Sequence, residues 1–241
     1  MTSQNLVKEL KKYSSASRKK SNEWFFKTGF GQYGYGDQFI GVRVPDVRKV
    51  AQQFLDLDFK EVNKLINSPI HEIRQAAILI LVEKNKLAIK NKDKVLQKKI
   101  LNFYLKNRKQ VNNWDLVDLS VGYILGQAIL DGLLPKKILY SYAKSRILWE
   151  RRFSIVATSV FIKQGDITDC LKLSRLLFND REDLMHKAVG WMLRESWKKD
   201  AKIVERFLET NYKNIPRTAL RYAIERVPER RRKNILKGKF R

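Results

Sequence analysis

The feature that most constrains the fold is a recurrence of similar helical segments at intervals of 32 to 41 residues. Each segment carries a cation or amide among its first four residues and continues into small and branched apolar residues. The segments are HEIRQAAILIL (71–81), NNWDLVDLSVG (112–122), LWERRFSIVAT (148–158), LMHKAVGWMLR (184–194) and PRTALRYAIER (216–226). Their apolar residues follow the helical period of 3.6, and alternating strand-like stretches are nearly absent. Because a lone amphipathic hairpin cannot bury its apolar face, neighbouring hairpins must stack. The pattern predicts an all-α, curved solenoid of HEAT-like helical-hairpin repeats.

Turn signals separate the repeats, but no long linker interrupts them. We therefore predict a single domain over residues 1–241, with a glycine-rich loop at 29–41 and a basic C-terminal tail at 228–241. Fifty Lys and Arg oppose 25 Asp and Glu, which gives a formal charge of +25. Such a charge repels itself unless a polyanion offsets it, so DNA or RNA is the favoured partner. The alternative is a lysine-rich surface that is merely solvated.

Cysteine usage and hydropathy indicate the compartment. Cys170 is the one cysteine, so no disulfide framework exists and a reducing cytoplasm is expected. The longest apolar run, residues 76–82, is far shorter than the roughly 20 residues that span a bilayer. We expect a cytoplasmic monomer without a membrane partner.

Two motifs that suggest cofactor or metal chemistry fail on their context. Residues 29–34 match GxGxxG, but aromatic residues precede the match where a dinucleotide fold needs a strand, and more loop follows where it needs a helix. A packed or flexible loop is the better interpretation, and its lysines and aromatics have the chemistry to touch DNA. His71 and His186 are the only histidines, and the spacing around His71 does not suit a zinc helix. We expect neither a metal nor a cofactor.

The segment that carries candidate chemistry is Asn112–Asp118. Trp114 and Asp118 are four residues apart, so on a helix they project from one face. A partly buried carboxylate is costly, and an acid on a phosphate-binding surface weakens DNA affinity. Such a cost suggests a positive charge that develops during a reaction, as it does on deoxyribose when an N-glycosidic bond breaks. Asp115 lies nearer the helix start and suits a capping role.

Two further segments place an arginine and a tryptophan on helical stripes. Arg152 follows Trp149 on one stripe, where its guanidinium can grip a phosphate or neutralise a carboxylate. Trp191 follows Gly190, and its ring suits stacking and cation–π contacts. Each of these residues also has an ordinary structural interpretation, because tryptophan usually packs in cores and arginine usually pairs with an acid.

Several motifs occur together in the order of one known family. FFKTGFGQYGYGDQFIGVRVPDVRK (25–49), SPIHEIRQAAILIL, NNWDLVDLS, LWERRFSIVAT and AVGWMLRE resemble the AlkD family of DNA alkylation-repair glycosylases, which are HEAT-like. The resemblance covers about residues 20–235. It implies excision of cationic N3- and N7-alkylated purines from duplex DNA, without the base flipping that most glycosylases need.

The resemblance also implies roles for individual residues. The catalytic Asp falls on Asp118, its partner tryptophans on Trp114 and Trp191, and the backbone-contacting Arg on Arg152. A shift of one residue would exchange Arg152 for Arg151. The residues Lys27, Arg43 and Arg194 complete the predicted DNA-binding set. The alternative function is a HEAT-repeat scaffold that binds nucleic acid without chemistry.

Overall fold

A computed structural model of the chain describes residues 1–240, and these residues form an all-α protein. Within them the only β-type pairing is an isolated parallel bridge between Gln38 and Ile70. The predicted all-α class is confirmed. None of the described helices is both long enough and apolar enough to cross a membrane. The contacts divide the chain into two compact units, Met1–Ile124 and a second that begins at Leu125; the single-domain boundary stays a prediction.

The first unit consists of seven helices and one 3₁₀ turn within the described residues. They are α1 (Ser3–Lys11), α2 (Ala16–Phe25), α3 (Val44–Gln53), α4 (Phe59–Ile66), α5 (His71–Lys90), α6 (Lys94–Lys106), the 3₁₀ turn Arg108–Gln110 and α7 (Trp114–Val121). Helix α5 packs against α3, α4, α6 and α7. Its first twelve residues, 71–82, are all buried, and the stretch 76–82 is apolar on every side, as expected for a buried helix.

A π-helical turn, Gly122–Gly126, follows α7 directly and contains the point at which the two units divide. Up to residue 240, the regular elements of the second unit are all helices. They are α8 (Gln127–Leu130), α9 (Lys137–Ala143), α10 (Leu148–Val156), α11 (Ser159–Lys163), α12 (Thr168–Leu177), α13 (Asp183–Trp197), α14 (Ala201–Thr210), α15 (Arg217–Ala223) and α16 (Glu229–Leu236). Helix α13 is its centre and packs against α10, α11, α12, α14 and α15.

The recurring segments of the sequence all coincide with helices that pack on a partner. They correspond to α5, α7, α10, α13 and α15. For three of the five segments the preceding helix packs alongside: α4 on α5, α9 on α10 and α12 on α13. The recurrence therefore predicts a helix correctly at each of the five segments, and a packed helical pair at three of them.

The basic C-terminal tail, 228–241, contains a helix in its described part. Helix α16 buries Ile235, and Phe240 is also buried. Tyr212 donates a hydrogen bond of 2.8 Å to the carbonyl oxygen of Leu236. Arg241 lies outside the described residues.

Candidate functional site

The predicted catalytic pair, Trp114 and Asp118, lies on α7 of the first unit. Asn113 precedes the helix in an extended conformation, and its Oδ1 accepts a hydrogen bond of 2.8 Å from the Trp114 amide. Leu116 and Val117 are fully buried and hold the helix in the core of the unit. Trp114 and Asp118 are both half-buried and lie one turn apart. The partial burial expected for Asp118 agrees with its position.

An aromatic stack holds the ring of Trp114. Phe26 lies nearly parallel to it, with ring centroids 5.4 Å apart and planes 19° apart. Phe25 meets the same indole edge-on at 5.9 Å. Phe26 also stacks with Phe39, with ring centroids 5.1 Å apart. Phe39 in turn stacks with His71, with centroids 4.7 Å apart. The orientation of Trp114 is therefore set by rings from α2 and the loop that follows it.

His71 begins α5 and is buried between two carboxylates. Its Nδ1 lies 2.8 Å from Asp37 Oδ2, and its Nε2 lies 2.9 Å from Asp115 Oδ2. Because an ionised carboxylate only accepts hydrogen bonds, both ring nitrogens must carry protons. Burial alone would lower the pKa of His71, but the charges and hydrogen bonds of Asp115 and Asp37 outweigh it and raise the pKa to about 9. His71 is an imidazolium at neutral pH.

The neighbouring side chains complete a buried polar network around His71. Arg74 donates to Asp37 Oδ1, and Asn113 Nδ2 donates to Asp37 Oδ2 at 3.2 Å. Burial would raise the pKa of Asp37, but the hydrogen bonds and charges of His71 and Arg74 outweigh it and lower the pKa. Two cations and two carboxylates balance within the network, so its burial leaves no net charge.

The structure corrects the capping role expected for Asp115. Asn113 is the cap of α7, whereas the carboxylate of Asp115 turns toward α5. There Asp115 Oδ2 accepts hydrogen bonds from His71 and, at 2.8 Å, from Gln75 Nε2. The expectation was wrong because α5 and α7 pack together, and the second residue of α7 faces that contact. Asp115 thus links α7 to α5.

Glu72 fastens the end of the glycine-rich loop to the same helix. Its carboxylate is buried and accepts hydrogen bonds from the backbone amides of Ile40 at 3.0 Å, Gly41 at 2.8 Å and Val42 at 3.2 Å. A carboxylate that accepts several amides satisfies donors that would otherwise be buried without partners. The end of the loop is therefore packed against α5.

The first unit therefore presents Trp114 and Asp118 from a helix whose position is fixed by buried charges and rings. The side chains of the network residues are themselves buried. A half-buried carboxylate beside an aromatic side chain suits a group that becomes positively charged.

In the second unit, α10 carries the two predicted phosphate-contacting arginines. Arg151 donates to both carboxylate oxygens of Asp180, at 2.6 and 3.2 Å, and to the carbonyl oxygens of Ser145 and Arg146. Arg152 is 4 % exposed and donates to the carbonyl oxygen of Leu184 at 2.6 Å. Both guanidinium groups thus have protein partners, and their contact with phosphate stays a prediction.

Helix α13 positions Trp191 through a close approach to α15. A Cβ at Gly190 would lie 2.4 Å from Tyr222 Cβ and 2.5 Å from the carbonyl oxygen of Ala219. Only glycine allows this spacing. Trp191 follows and is half-buried, while Arg194 pairs with Glu225. The predicted roles of Trp191 and Arg194 remain predictions.

The other two predicted DNA contacts flank the loop in the first unit. Lys27 is exposed and has a positive φ of 52°, which is uncommon outside glycine. Arg43 is exposed at the start of α3 and pairs with Asp46 at 3.0 Å. Both side chains have the exposure that phosphate contact requires.

The sequence pattern suggests for His71 only a metal-binding role, which its spacing does not suit, and it predicts no role for Asp37. A signal was present, because His71, Glu72 and Arg74 interrupt a segment that is otherwise apolar. Charges in a helix that is buried all round must be paired. Among residues 1–240, no group of three or more His, Cys, Asp and Glu is arranged to hold a metal ion.

Comparisons with known proteins identify the family. A family model described as "DNA alkylation repair enzyme" matches residues 6–227. The chain belongs to this family. The solved structure of a "Predicted DNA alkylation repair enzyme from Enterococcus faecalis" is similar, with a TM-score of 0.68 at 15 % identity, and covers 90 % of this chain and 97 % of its own. That likeness shows a shared fold. No curated protein sequence matches the chain significantly.

Membership confirms the resemblance drawn from the motifs. The chain is an enzyme of DNA alkylation repair, and DNA is its partner.

Proposed function

We propose that this DNA alkylation repair enzyme is a glycosylase that hydrolyses the N-glycosidic bond of N3- or N7-alkylated purines in duplex DNA. The observation that carries the proposal is the placement of Trp114 and Asp118 one turn apart on α7. The start of this helix is held by Asn113 and by the buried network around His71. Catalytic groups are effective when their supporting residues fix them before the substrate arrives.

The reaction follows from the charge of the lesion. An alkyl group on N3 or N7 makes the purine cationic and therefore a good leaving group. When the C1′–N9 bond breaks, its electron pair neutralises the purine, and positive charge develops on the deoxyribose. The carboxylate of Asp118 stabilises this cation, and the ring of Trp114 adds a cation–π contact. Water then adds to C1′ and loses a proton, which leaves an abasic site and the free base.

This chemistry needs no strong acid, because the leaving group already carries the charge that protonation would supply. We therefore propose a metal-free reaction without a cofactor. The lesion need not enter a deep pocket either, so the base stays in the duplex during cleavage.

Residues of the second unit are proposed to hold the DNA. Arg152, or Arg151 in its place, contacts phosphate, and Trp191 contacts the sugar of the nucleotide by cation–π and CH contacts. Lys27, Arg43 and Arg194 add contacts to the backbone. The positive charge of the chain supports binding of this kind.

A base-release assay tests the proposal. Purified protein is incubated with duplex DNA that contains 7-methylguanine or 3-methyladenine, and released bases are identified under single-turnover conditions. We expect release by the wild type, unchanged by EDTA. Asp118→Asn should lose about 10² or more in rate, about 3 kcal/mol, as for one preorganised electrostatic group. Its duplex affinity at matched salt should stay the same or rise, since a negative charge is removed.

Asp56→Asn is the matched control, because it removes an exposed carboxylate from the same unit. It should leave base release unchanged. A stable Asp118→Asn protein with wild-type release would contradict the catalytic role of Asp118. EDTA inhibition reversed by zinc or magnesium would contradict the metal-free reaction.

A scaffold that binds DNA without chemistry is the second candidate. The charge of +25 favours it, because that charge serves binding whether or not a bond is cleaved. Salt-dependent duplex binding by a wild-type protein that releases no base would establish this function instead.

A further inference from the structure

The most exposed aromatic residues of the molecule are concentrated in one short segment. Among residues 1–240, every aromatic side chain that is more than half exposed lies between positions 24 and 35. The four are Trp24 (82 %), Phe25 (55 %), Phe30 (90 %) and Tyr35 (63 %). The last two residues of α2 begin the segment, and this helix has no buried residue. Single exposed apolar residues are common, but a cluster of this kind marks an interaction surface.

The backbone holds this aromatic segment, residues 24–35, in a defined position. A Cβ at Gly34 would lie 2.2 Å from the carbonyl oxygen of Phe26, so the far side of the loop lies tightly against the end of α2. Gly31, at the tip, has a φ of 73° and no atom within 4 Å of its added Cβ. Phe30 meets Tyr35 edge-on, with centroids 5.5 Å apart. The loop base is fixed while its tip presents Phe30 to solvent.

The charge around the aromatic segment indicates that its partner is an anion and not an apolar protein surface. Lys19, Lys20 and Lys27 are exposed in and beside the segment, against the single carboxylate of Glu23. Aromatic rings interleaved with lysines suit nucleic acid, since the lysines meet phosphates and the rings stack on any unpaired base.

The segment also adjoins the candidate catalytic helix. Phe25 contacts the indole of Trp114 at 5.9 Å, and Phe26 stacks on it. A DNA strand held at Asp118 is therefore close to these rings within the same unit.

We propose that the aromatic segment is a nucleobase-contacting surface, on which Phe30 and Trp24 stack against an unpaired or unstacked base of DNA. The choice of DNA rests on the proposed function, but the contact itself requires no base release. Its effect is to favour DNA in which stacking is already disrupted over an intact duplex.

Binding of unmodified DNA tests this proposal. Two duplexes of equal length are compared at one salt concentration, one fully paired and one with a single unpaired 2-aminopurine, whose fluorescence reports stacking. We expect the wild type to bind the second duplex more tightly and to change its fluorescence. Phe30→Ala should weaken that binding about tenfold, within the range for loss of one aromatic–base stack. It should leave the paired duplex nearly unaffected, and Phe30→Trp should restore the preference.

Val95→Ala is the matched control, because Val95 is also 82 % exposed in the first unit but lies on α6, outside the segment. It should bind both duplexes as the wild type does. Equal loss on both duplexes with Phe30→Ala, or no loss on either, would overturn base stacking. Unchanged DNA binding with lost binding to vesicles of phosphatidylserine and phosphatidylcholine would assign the surface to membranes instead. Because no lesion is used, a wild type that never releases methylated bases removes the proposed function and leaves this result intact.

Discussion

Helices α7 and α13 each carry a tryptophan of the predicted site, but different forces position them. Helix α7 is attached to α5 through charges, since Asp115 accepts a hydrogen bond from the buried imidazolium of His71. Helix α13 is attached to α15 through shape, since Gly190 removes the side chain that would separate the two backbones. Charged contacts fix direction but depend on protonation, whereas close packing depends on volume and is indifferent to pH.

Removal of the His71 imidazolium, which joins α7 to α5, should have the largest effect on stability. His71→Leu leaves Asp37 and Asp115 buried without their shared cation, and loss of one partner of a buried ion pair typically costs about 3–5 kcal/mol. Urea unfolding measures this as a lower midpoint. His186→Leu is the matched control, because His186 is half-buried and makes one hydrogen bond, to the carbonyl oxygen of Asp180. It should cost about 1 kcal/mol; equal costs for the two variants would remove the special role of the network.

The pH dependence of stability should sharpen the contrast. The pKa of His71 is raised from 6.5 to about 9 in the folded protein, so the folded state keeps a proton that the unfolded chain releases. The proton on His71 adds about 3 kcal/mol to the free energy of unfolding. This contribution is complete below pH 6.5 and is lost as the pH rises through 9. The lowered pKa of Asp37 has the opposite effect on stability. Its ionised carboxylate stabilises the fold above pH 3.8, the usual pKa of an aspartate, and this stability is lost as the pH falls below that value.

Unfolding free energies of the wild type and His71→Leu, measured from pH 6 to 9.5, check this expectation. The difference between the two proteins should shrink toward alkaline pH. A constant difference would show that His71 is neutral in the folded state.

Gly190→Ala tests the attachment of α13 by volume. Alanine has the higher helix propensity by about 1 kcal/mol, but overpacking typically costs about 1–3 kcal/mol. The atoms that the new Cβ meets belong to the backbone of Ala219 and to Tyr222 Cβ, so no flexible side chain can give way. We expect a net loss of up to about 2 kcal/mol that does not vary between pH 6 and 9. Increased stability would mean that α15 shifts freely.

Asn113→Ala should have the smallest effect. It removes the cap of α7 and the hydrogen bond to Asp37, and loss of an N-cap typically costs about 1 kcal/mol. Circular dichroism during thermal unfolding measures the loss. A cost near that of His71→Leu would show that the cap, rather than the imidazolium, fixes the helix start.

The sequence predicted the helices well and the polar network poorly. The recurrence at 32 to 41 residues locates α5, α7, α10, α13 and α15 because the helical period is a local property of the chain. It also predicts that Trp114 and Asp118 share a helix face. The partners of His71 lie 34 and 44 residues away, at Asp37 and Asp115, and no local pattern encodes such pairs.

The glycine-rich loop also shows what a local sequence pattern does not predict. Its glycines were recognised, but their separate roles depend on which backbone each one meets. Gly34 lies against Phe26, whereas Gly31 meets nothing within 4 Å. The sequence therefore identified an unusual loop, and packing decided which part of it became the exposed tip.

The carboxylate of Glu72 makes the end of that loop a reporter of local opening. The amides of Ile40, Gly41 and Val42 all donate to this single buried side chain. They can exchange their hydrogens with solvent only when the carboxylate releases them together. Three consecutive amides should therefore share one protection factor in deuterium oxide, and that value gives the free energy at which the loop detaches from α5.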